Sequence, residues 1–262
     1  MVNKHTYEDL KTLQSRTLQG KIQLTQTRIM EFYERFNGNV YISFSGGLDS
    51  TVLLDMARRM YEQIPAVFAD TGLEYPEIRQ FALSQENVDV VRPLKYDKAS
   101  RKWVATNFRE VLTSYGYPVV SKEVSECIEQ GRVALKNGKY PYRLQKLNGT
   151  ALQKDGTKSK FQQKKWRYLL DSPFKISPRC CDVMKKNPFK QYSKQTGRYP
   201  IVGTMADESR LRHQQWLQHG CNAFDTKKPI SKPMSFWTKQ NVLQYIKISG
   251  IQYASIYGAS IR

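Results

Sequence analysis

The first hundred residues alternate between short apolar runs and amphipathic stretches, and this alternation restricts the fold more than any other feature. Apolar, β-branched and aromatic runs at 40–44, 64–69 and 88–91 predict strands, while 50–63 and 76–83 have the spacing of helices. A strand–helix–strand order of this kind is typical of a parallel sheet with crossover helices. A further buried strand is predicted at 199–204, and helices at 7–36, 100–115, 121–136 and 238–250.

We therefore predict an α/β fold with a mostly parallel five-stranded sheet, helices on both faces and a basic irregular insertion. The expected segments are an N-terminal helical segment at 1–36, a core at 37–136, the insertion at 137–198, and the C-terminal part of the α/β domain at 199–262. Within the insertion, Asp-Gly at 155–156 favours a β-hairpin turn. Parallel sheets of this class bind ligands at the carboxyl ends of their strands, where the glycine-bearing turns at 45–47 and 70–72 lie.

The positive charge of the chain is concentrated in one block. The net charge is +19, yet residues 1–131 carry 16 basic and 17 acidic side chains. Residues 132–198, the basic block, carry 18 basic and three acidic side chains, a net charge of +15. A local excess of this size points to a polyanionic partner such as DNA or RNA, with a solvated lysine-rich surface as the alternative.

Composition excludes several classes of protein. With 40% hydrophobic residues the chain can bury a full core, which argues against disorder. No apolar run approaches the roughly 20 residues that span a bilayer, so no membrane association is expected. The first residues form no apolar signal segment, and four cysteines are too few for a disulfide scaffold. These features predict a cytoplasmic protein.

A glycine pair follows the first predicted strand, inside the hexapeptide Ser-Gly-Gly-Leu-Asp-Ser at 45–50. Gly46 and Gly47 permit a sharp turn and let main-chain N–H groups approach an anion without a Cβ in the way. The hydroxyls of Ser45 and Ser50 add donors, and the following helix points the positive end of its dipole at the same place. A glycine-rich turn with a capping serine is the alternative, but the complete hexapeptide favours a phosphate site.

Asp49 separates this turn from a Walker A loop, because no Gly-Lys-Ser/Thr follows the glycines. A carboxylate would repel a bare phosphate, so its presence in a phosphate-binding turn argues for a bridging Mg²⁺. Asp49 is therefore the predicted magnesium ligand.

Several blocks in order resemble the PP-loop superfamily of adenine nucleotide α-hydrolases. The hexapeptide is similar to the PP-loop of ATP pyrophosphatases and sulfonucleotide (PAPS/APS) reductases, and residues 45–50 are called the PP-loop below. The segment 68–77, with Asp-Thr-Gly at 70–72 and Pro-Glu at 76–77, resembles the phosphoadenosine phosphosulfate (PAPS) reductase branch. So do Arg-Cys-Cys-Asp-Val-Met-Lys-Lys at 179–186 and Gly-Thr-Met-Ala-Asp-Glu-Ser-Arg-Leu-Arg at 203–212.

The resemblance implies that the core at 37–136 binds ATP, or PAPS or APS, through its phosphates. Asp70, Thr71 and Gly72 would line the adenosine side, and Arg210 and Arg212 would close over phosphate or sulfate oxygens. Solvated arginines at a strand exit are the alternative for the last two. The residues expected in catalysis are Asp49, Ser45 and Arg210. The expected nucleotide-binding set is Ser43, Ser45, Gly46, Gly47, Leu48, Asp49, Ser50, Asp70, Thr71, Gly72, Gly203, Arg210 and Arg212.

Cys180 and Cys181 resemble half of the ligand set in relatives that bind a [4Fe-4S] cluster, which add a downstream Cys-x-x-Cys. That second pair does not follow here, and a cluster needs four thiolates, so we expect one only if further cysteines are supplied. Sulfonucleotide reductases also use a cysteine in a C-terminal Glu-Cys-Gly-Leu-His type tail, and the last cysteine in this sequence is Cys221. Cys127 is expected in the core.

Three functions are compatible with these features. The first is cleavage of ATP at the α-phosphate in sulfur-transfer chemistry, as in DNA phosphorothioation or tRNA thiolation, with a cysteine desulfurase as sulfur donor. Tyr140, Tyr142, Phe161, Trp166 and Tyr168 could then stack on unpaired bases, although packing within the insertion is the favoured interpretation. The second is a PAPS or APS reductase that produces sulfite, and the third a nucleotide or nucleic-acid binding module without turnover. The oligomeric state is left open.

Overall fold

The computed structural model describes residues 3–258, so the outer ends of the predicted segments 1–36 and 199–262 lie outside the described residues. Two compact units make up the chain. The first comprises Met1–Val91 and Phe189–Arg262, and the second comprises Arg92–Pro188.

The strands are short, as their apolar runs predict. Their bounds are β1 (Val40–Phe44), β2 (Ala66–Ala69), β3 (Val88–Val91), β4 (Leu94–Asp97), β5 (Lys102–Ala105), β6 (Tyr199–Val202), β7 (Asn222–Ala223) and β8 (Ile230–Ser231). The α-helices are α1 (Tyr7–Gln14), α2 (Leu18–Arg35), α3 (Leu48–Met60), α4 (Pro76–Ser84), α5 (Phe108–Tyr115), α6 (Lys122–Asn137), α7 (Pro141–Asn148), α8 (Asn187–Thr196), α9 (Arg210–His219) and α10 (Lys239–Ser249).

The sheet of the first unit confirms the predicted α/β fold with mostly parallel strands. Among the described residues it has six strands in the order β3-β2-β1-β6-β8-β7, and the β7–β8 pair alone is antiparallel. The prediction of five strands was one short. The strands β7 and β8 have two residues each, which is too few to show the period-two alternation that identifies a strand.

Helices cover both faces of this sheet, as predicted. Alternate β1 residues point to opposite faces. Val40, Ile42 and Phe44 join the large core beneath α2, α3 and α10, whereas Tyr41 packs on the other face with Tyr192 of α8. The predicted C-terminal helix is α10, which begins after Thr238 and ends at Gly250 in the left-handed conformation.

The prediction of a helix at 100–115 is wrong for the first half of that range. Lys102–Ala105 forms strand β5, which pairs antiparallel with β4, and the rings of Tyr96 and Trp103 meet edge-on across the pair with centroids 5.6 Å apart. The helix starts only at Phe108, because the side chain of Asn107 accepts a hydrogen bond from the Glu110 N–H and caps it. A cross-strand partner decided this segment, and the local pattern did not reveal it.

The insertion contains regular structure within the second unit. Helix α7 packs beside α6 around a small core that includes Cys127 and Leu147, which confirms Cys127 as a core residue. Leu152 and Lys158 pair antiparallel around the predicted Asp155-Gly156 turn. The guanidinium of Arg132 donates to the carbonyl oxygens of Leu169, Leu170, Ser172 and Phe174 at 2.8–2.9 Å. Part of the positive charge in the basic block therefore stabilises the unit itself.

No described helix combines the length and the apolar character needed to cross a bilayer.

A buried hydrogen bond ties α2 to the segment before α10, and it gives the first prediction. The indole Nε1–H of Trp237 donates to Thr25 Oγ1 at 2.8 Å, and both residues are fully buried. In a Thr25→Val variant the buried N–H loses its partner, so we expect the free energy of unfolding to fall by about 1–3 kcal/mol. Urea denaturation measures this change.

The control is Thr27→Val on the same helix, where the hydroxyl is exposed and bonds only to the Gln23 carbonyl. We expect the free energy of unfolding of that variant to lie within about 0.5 kcal/mol of the wild-type value. Equal losses in the two variants would contradict the role of the Trp237 bond.

Candidate functional site

The PP-loop lies at the carboxyl end of β1, at the point where the strand order changes direction. From β1 the chain crosses to β2 on one side, while β6 lies on the other side of β1. Crevices at such switch points are the ligand sites of open α/β sheets. Residues 45–47 connect β1 to α3, and Gly203 follows β6 at the same edge.

Hydrogen bonds within the PP-loop hold its turn. Ser50 Oγ lies 3.0 Å from Ser45 Oγ, accepts from the Ser45 N–H at 3.2 Å and donates to the Gly47 carbonyl at 2.9 Å. Ser50 is buried, whereas Ser45 is exposed. Gly47 is the N-cap of α3 and supplies no side chain to the first-turn N–H groups. Ser50 is therefore a structural brace, whereas Ser45 is exposed beside the N-terminus of α3.

Two glycines are required by close backbone approaches. Gly46 has a φ of +72°, and a Cβ there would lie 2.9 Å from the carbonyl oxygen of Ile78 in α4. A Cβ on Gly203 would lie 3.1 Å from the Asp49 carbonyl oxygen and 3.4 Å from the Ser50 Cα. The end of β6 thus packs directly against the first turn of α3, which places Gly203 beside the PP-loop.

Asp49 is half-buried at the start of α3. Burial raises the pKa of its carboxyl above the ordinary value of 3.8, and the positive charges of Lys239 and Arg212 oppose that rise. Lys239 is the first residue of α10, and Arg212 lies in the first turn of α9. Three helices therefore begin near this carboxylate.

Arg212 is oriented by an acidic partner. Its guanidinium forms an ion pair with Glu208, whose Oε1 also accepts from the Met205 N–H at 2.6 Å. Burial lowers the pKa of the half-buried Lys232 ammonium, and the charge of Arg212 lowers it further. Lys232 Nζ donates to Gln215 Oε1 at 2.6 Å. Arg210, the other predicted arginine, is exposed at the start of α9.

Tyr257 approaches the PP-loop from a short 3₁₀ turn near the end of the described chain. Its hydroxyl lies 3.5 Å from where a Cβ on Gly47 would be. Burial and the charge of Asp49 raise the pKa of this phenol. Tyr257 is 41% exposed. Because its hydroxyl lies beside the N-terminus of α3, it forms part of the wall of the site.

The predicted adenosine segment is braced at two points. The Asp70 carboxylate accepts two hydrogen bonds from the Arg79 guanidinium, at 3.0 and 3.1 Å. Thr71 is buried, and both its N–H and its hydroxyl donate to the Glu74 carboxylate. A cavity of about 510 Å³ opens beside this segment and is lined in part by Gly72, Glu74 and Arg79.

The site contains residues that the sequence analysis did not find. Lys232, Lys239 and Tyr257 lie outside the recognised blocks, and Glu208 lies inside one without having been given a role. No local pattern identifies a lone lysine or tyrosine as part of a distant site. The acidic Glu208 four residues before Arg212 is the one signal that sequence spacing offers, because that spacing favours an ion pair on a helix.

The cysteine pair does not fit a [4Fe-4S] cluster. In the second unit Cys180 and Cys181 are free thiols with sulfur atoms 4.0 Å apart, and burial raises the pKa of Cys180. Among residues 3–258, no three His, Cys, Asp or Glu side chains are grouped so as to hold a metal ion. An iron–sulfur cluster needs four thiolates. We therefore derive no chemistry through such a cluster.

A comparison with family models decides the relationship of this chain to known proteins. The model described as the phosphoadenosine phosphosulfate reductase domain matches residues 39–117 and 134–262. The chain belongs to this family. The match covers most of the chain and includes all four blocks named above. The PAPS reductase family comprises enzymes that act on nucleotide substrates.

Comparisons with individual proteins give distant likenesses. No curated protein matches the chain. A PAPS reductase from Candida auris, solved as a phosphate complex, is 14% identical with a TM-score of 0.44, over 98% of this chain and 93% of that chain. The U34-tRNA thiolase NcsA from Methanococcus maripaludis, solved with its [4Fe-4S] cluster, is 13% identical with a TM-score of 0.40, over 90% of this chain and 66% of that chain. We transfer no residue role from either structure.

The raised pKa of Asp49 predicts a stability cost that Asp49→Asn removes. A carboxyl whose pKa is higher in the folded than in the unfolded state contributes most to stability below the unfolded pKa, and this contribution is lost as pH rises through the folded pKa. We expect Asp49→Asn to unfold at higher urea than the wild type at pH 7, and this gain to shrink as the pH is lowered towards 3.8.

Asp55→Asn on the same helix is the control. The Asp55 carboxylate accepts from the Tyr245 hydroxyl at 2.6 Å and from Arg59 at 2.9 Å, so its loss should lower stability at pH 7. A wild type more stable than Asp49→Asn at pH 7 would contradict the burial cost assigned to Asp49.

Proposed function

We propose that this member of the PAPS reductase family binds ATP and cleaves it between the α- and β-phosphates in sulfur-transfer chemistry. One arrangement carries the proposal: a carboxylate at a helix N-terminus, with Arg212 and Lys239 near it and the bare backbone of Gly203 against it. Helix N-termini and cations stabilise phosphate oxygens. A carboxylate among them is explained by a phosphate-bound divalent cation.

The donor set around the PP-loop suits Mg²⁺, which is commonly held by one or two carboxylates together with substrate phosphates. Asp49 would hold it, and when bound the ion neutralises charge on the phosphate oxygens. Arg212 is kept oriented by Glu208 and would bind the same polyphosphate. Ser45 adds an exposed hydroxyl beside the turn.

The reaction in this proposal is a displacement at the α-phosphorus. A nucleophilic oxygen of the acceptor forms a bond to the α-phosphorus. The bond between this phosphorus and the oxygen that bridges it to the β-phosphate breaks, and pyrophosphate leaves with the electron pair. The acceptor becomes adenylated. Sulfur from the persulfide of a cysteine desulfurase, the proposed donor, then forms a bond to the acceptor as AMP leaves, and a thiol supplies the two electrons that release this sulfur from the persulfide. The PP-loop, Arg212 and Lys239 contribute by positioning the triphosphate and stabilising the leaving pyrophosphate.

Reduction of PAPS or APS to sulfite is the second candidate, and the family match favours it. That chemistry uses a thiolate. In the first unit Cys221 is 8% exposed, and burial raises the pKa of its thiol to about 11, which keeps it protonated at neutral pH. Cys221 is therefore a poor candidate for the thiolate of a reductase.

Nucleic acid is the proposed acceptor, and the second unit offers a surface for it. Four aromatic side chains of the basic block are 45–64% exposed: Tyr140, Tyr142, Phe161 and Tyr168. Exposed lysines lie between them in sequence, including Lys154, Lys158 and Lys160. Trp166 instead packs partly against the core of the unit. Exposed rings among cations are typical of surfaces that stack unpaired bases.

Product analysis tests the reaction. We expect the purified chain with Mg²⁺ to convert ATP to pyrophosphate and AMP or an adenylated acceptor, and Asp49→Asn to lower the rate at least 100-fold, because the predicted magnesium ligand is removed. Glu62→Gln, an exposed carboxylate just beyond the other end of α3, is the control and should keep the wild-type rate.

Other products would decide among the alternatives. Sulfite formed from PAPS with a thiol reductant, without pyrophosphate from ATP, would identify a reductase. Tight binding of ATP with neither product would identify a module without turnover. Unchanged pyrophosphate release in Asp49→Asn would show that the PP-loop carboxylate has been given the wrong role.

Salt dependence tests the nucleic-acid surface. We expect the affinity for a single-stranded oligonucleotide to fall steeply with salt, with a log–log slope of about −0.7 for each phosphate neutralised. The Lys154→Ala/Lys160→Ala variant should lose about one to two phosphate contacts, so its slope should be shallower than that of the wild type. Fluorescence anisotropy titrations at several salt concentrations measure it.

The matched control is Lys98→Ala/Lys102→Ala, which removes two exposed charges of the same unit outside the basic block. Its slope should equal that of the wild type. A flat salt response, or the same change in both double variants, would exclude a specific role for the basic block.

A further inference from the structure

A second cavity lies in the first unit at the opposite edge of the sheet from the PP-loop. It has a volume of about 580 Å³ and is lined by the beginnings of β1, β6 and β8, by α8 and by the segment before β8. Tyr41 in the cavity and Ser45 in the PP-loop are four residues apart on an extended strand, which is about 13 Å. The two sites are therefore separate. Cavities of 300–1,000 Å³ are typical of small-molecule sites.

The floor of this cavity is aromatic and apolar. Tyr41 is 1% exposed, and the ring of Phe189 lies parallel to it at 7° with centroids 6.2 Å apart. Tyr199, Pro200, Pro229 and Ile230 complete the apolar lining. The Tyr41 hydroxyl lies 3.3 Å from Ser193 Oγ, and burial raises the pKa of Tyr41 to about 12. The floor is therefore uncharged at neutral pH.

The rim of the cavity is cationic. It carries Lys190, Lys194, Arg198, Lys227 and Lys228, and no acidic side chain lines it. Within residues 3–258, none of the four lysines pairs with a carboxylate. Arg198 is half-buried and donates to the Tyr192 hydroxyl at 3.1 Å. The Tyr192 hydroxyl in turn donates to the Asp89 carboxylate at 2.7 Å, so Arg198 has an acidic group one residue away. The four exposed lysines remain as a local positive patch, which favours an anion at this opening.

We propose that this cavity binds a free nucleoside phosphate, with its base against the aromatic floor around Phe189 and Tyr199 and its phosphate on the lysine rim. Both halves of the cavity are needed for the assignment. An inorganic anion leaves the apolar floor without a partner, and a neutral aromatic compound leaves the rim cations without one. A phosphorylated nucleobase satisfies both, because its ring stacks on aromatic side chains and its phosphate accepts from ammonium groups.

Three of the rim cations, Lys190, Lys194 and Arg198, lie in the segment that the sequence analysis assigned to the insertion, but they belong to the first unit. Lys227 and Lys228 come from the segment between β7 and β8 of the same unit. The fold gathers the two groups around one opening. This site does not depend on the proposed reaction at the PP-loop, because no PP-loop residue lines it.

Photocrosslinking with 8-azidoadenosine 5′-monophosphate, followed by peptide mapping, tests the proposal on the full chain. We expect labelled peptides from residues 189–200 or 227–230, in addition to any from the PP-loop. AMP should prevent this labelling at much lower concentration than inorganic pyrophosphate or adenosine, since each of these has only one of the two required groups. Labelling confined to peptides that contain residues 45–50 or 70–74 would overturn the second site.

The source of the nucleotide is tested by competition. A single-stranded oligothymidylate that prevents labelling at lower nucleotide concentration than AMP would assign the cavity to nucleic acid and would overturn a free nucleotide as its ligand. Equal protection by AMP and by pyrophosphate would show that the floor plays no part, which would also overturn the proposal.

Charge removal supplies an independent readout. Lys194→Ala/Lys228→Ala changes two exposed side chains, and loss of two charge-assisted contacts should weaken labelling at 189–200 by about tenfold or more. Labelling of the PP-loop peptide should be unchanged in this variant. The control Arg16→Ala/Lys247→Ala removes two exposed charges elsewhere in the same unit. Its labelling at 189–200 should stay within about twofold of the wild-type level. Equal loss of labelling in both double variants would show that the rim acts only through nonspecific charge, and this would overturn the site.

Discussion

The contact between Gly203 and the first turn of α3 is the constraint on which the candidate site depends. A hydrogen atom in place of a side chain lets the end of β6 approach the Asp49 carbonyl, and this approach places the chain that leads into α9 beside the start of α3. Gly46 meets the same requirement on the other side, where α4 passes within 2.9 Å of its missing Cβ. The crevice is thus formed by backbone packing, and its charged side chains are carried on helices that this packing brings together.

The charges of the site oppose the stability of the unit that holds them. Burial disfavours the ionised form of Asp49, and Lys232 is likewise disfavoured as a cation by burial and by Arg212. Groups of this kind are common where a charged ligand completes the balance. The hydrogen bonds of Ser50 and Glu208 then hold the loop and Arg212 in position without the ligand. This cost in stability is the one expected of the phosphate-binding site proposed above.

The basic block of the sequence has several physical roles. Arg132 and Lys146 bond to carbonyl or carboxylate groups and stabilise the second unit. The lysines around the Asp155-Gly156 turn are exposed beside aromatic rings, and Lys190 and Lys194 lie on the cavity of the first unit. A charge count along the chain cannot separate these groups, because it does not record which side chains face carbonyl oxygens and which face solvent.

The sequence by itself determined the parallel α/β core, the PP-loop after β1, the family, and the burial of Cys127, since each depends on a local pattern or an ordered set of blocks. Only the tertiary structure revealed β5, the two short strands of the sheet, and the approach of Lys232, Lys239 and Tyr257 to the PP-loop. It also placed Asp70 against Arg79 and assembled the second cavity from α8 and the segment before β8. The physical reason is that local periodicity records which face of an element is apolar, whereas cross-strand partners and the meeting of distant helix ends depend on how the elements pack.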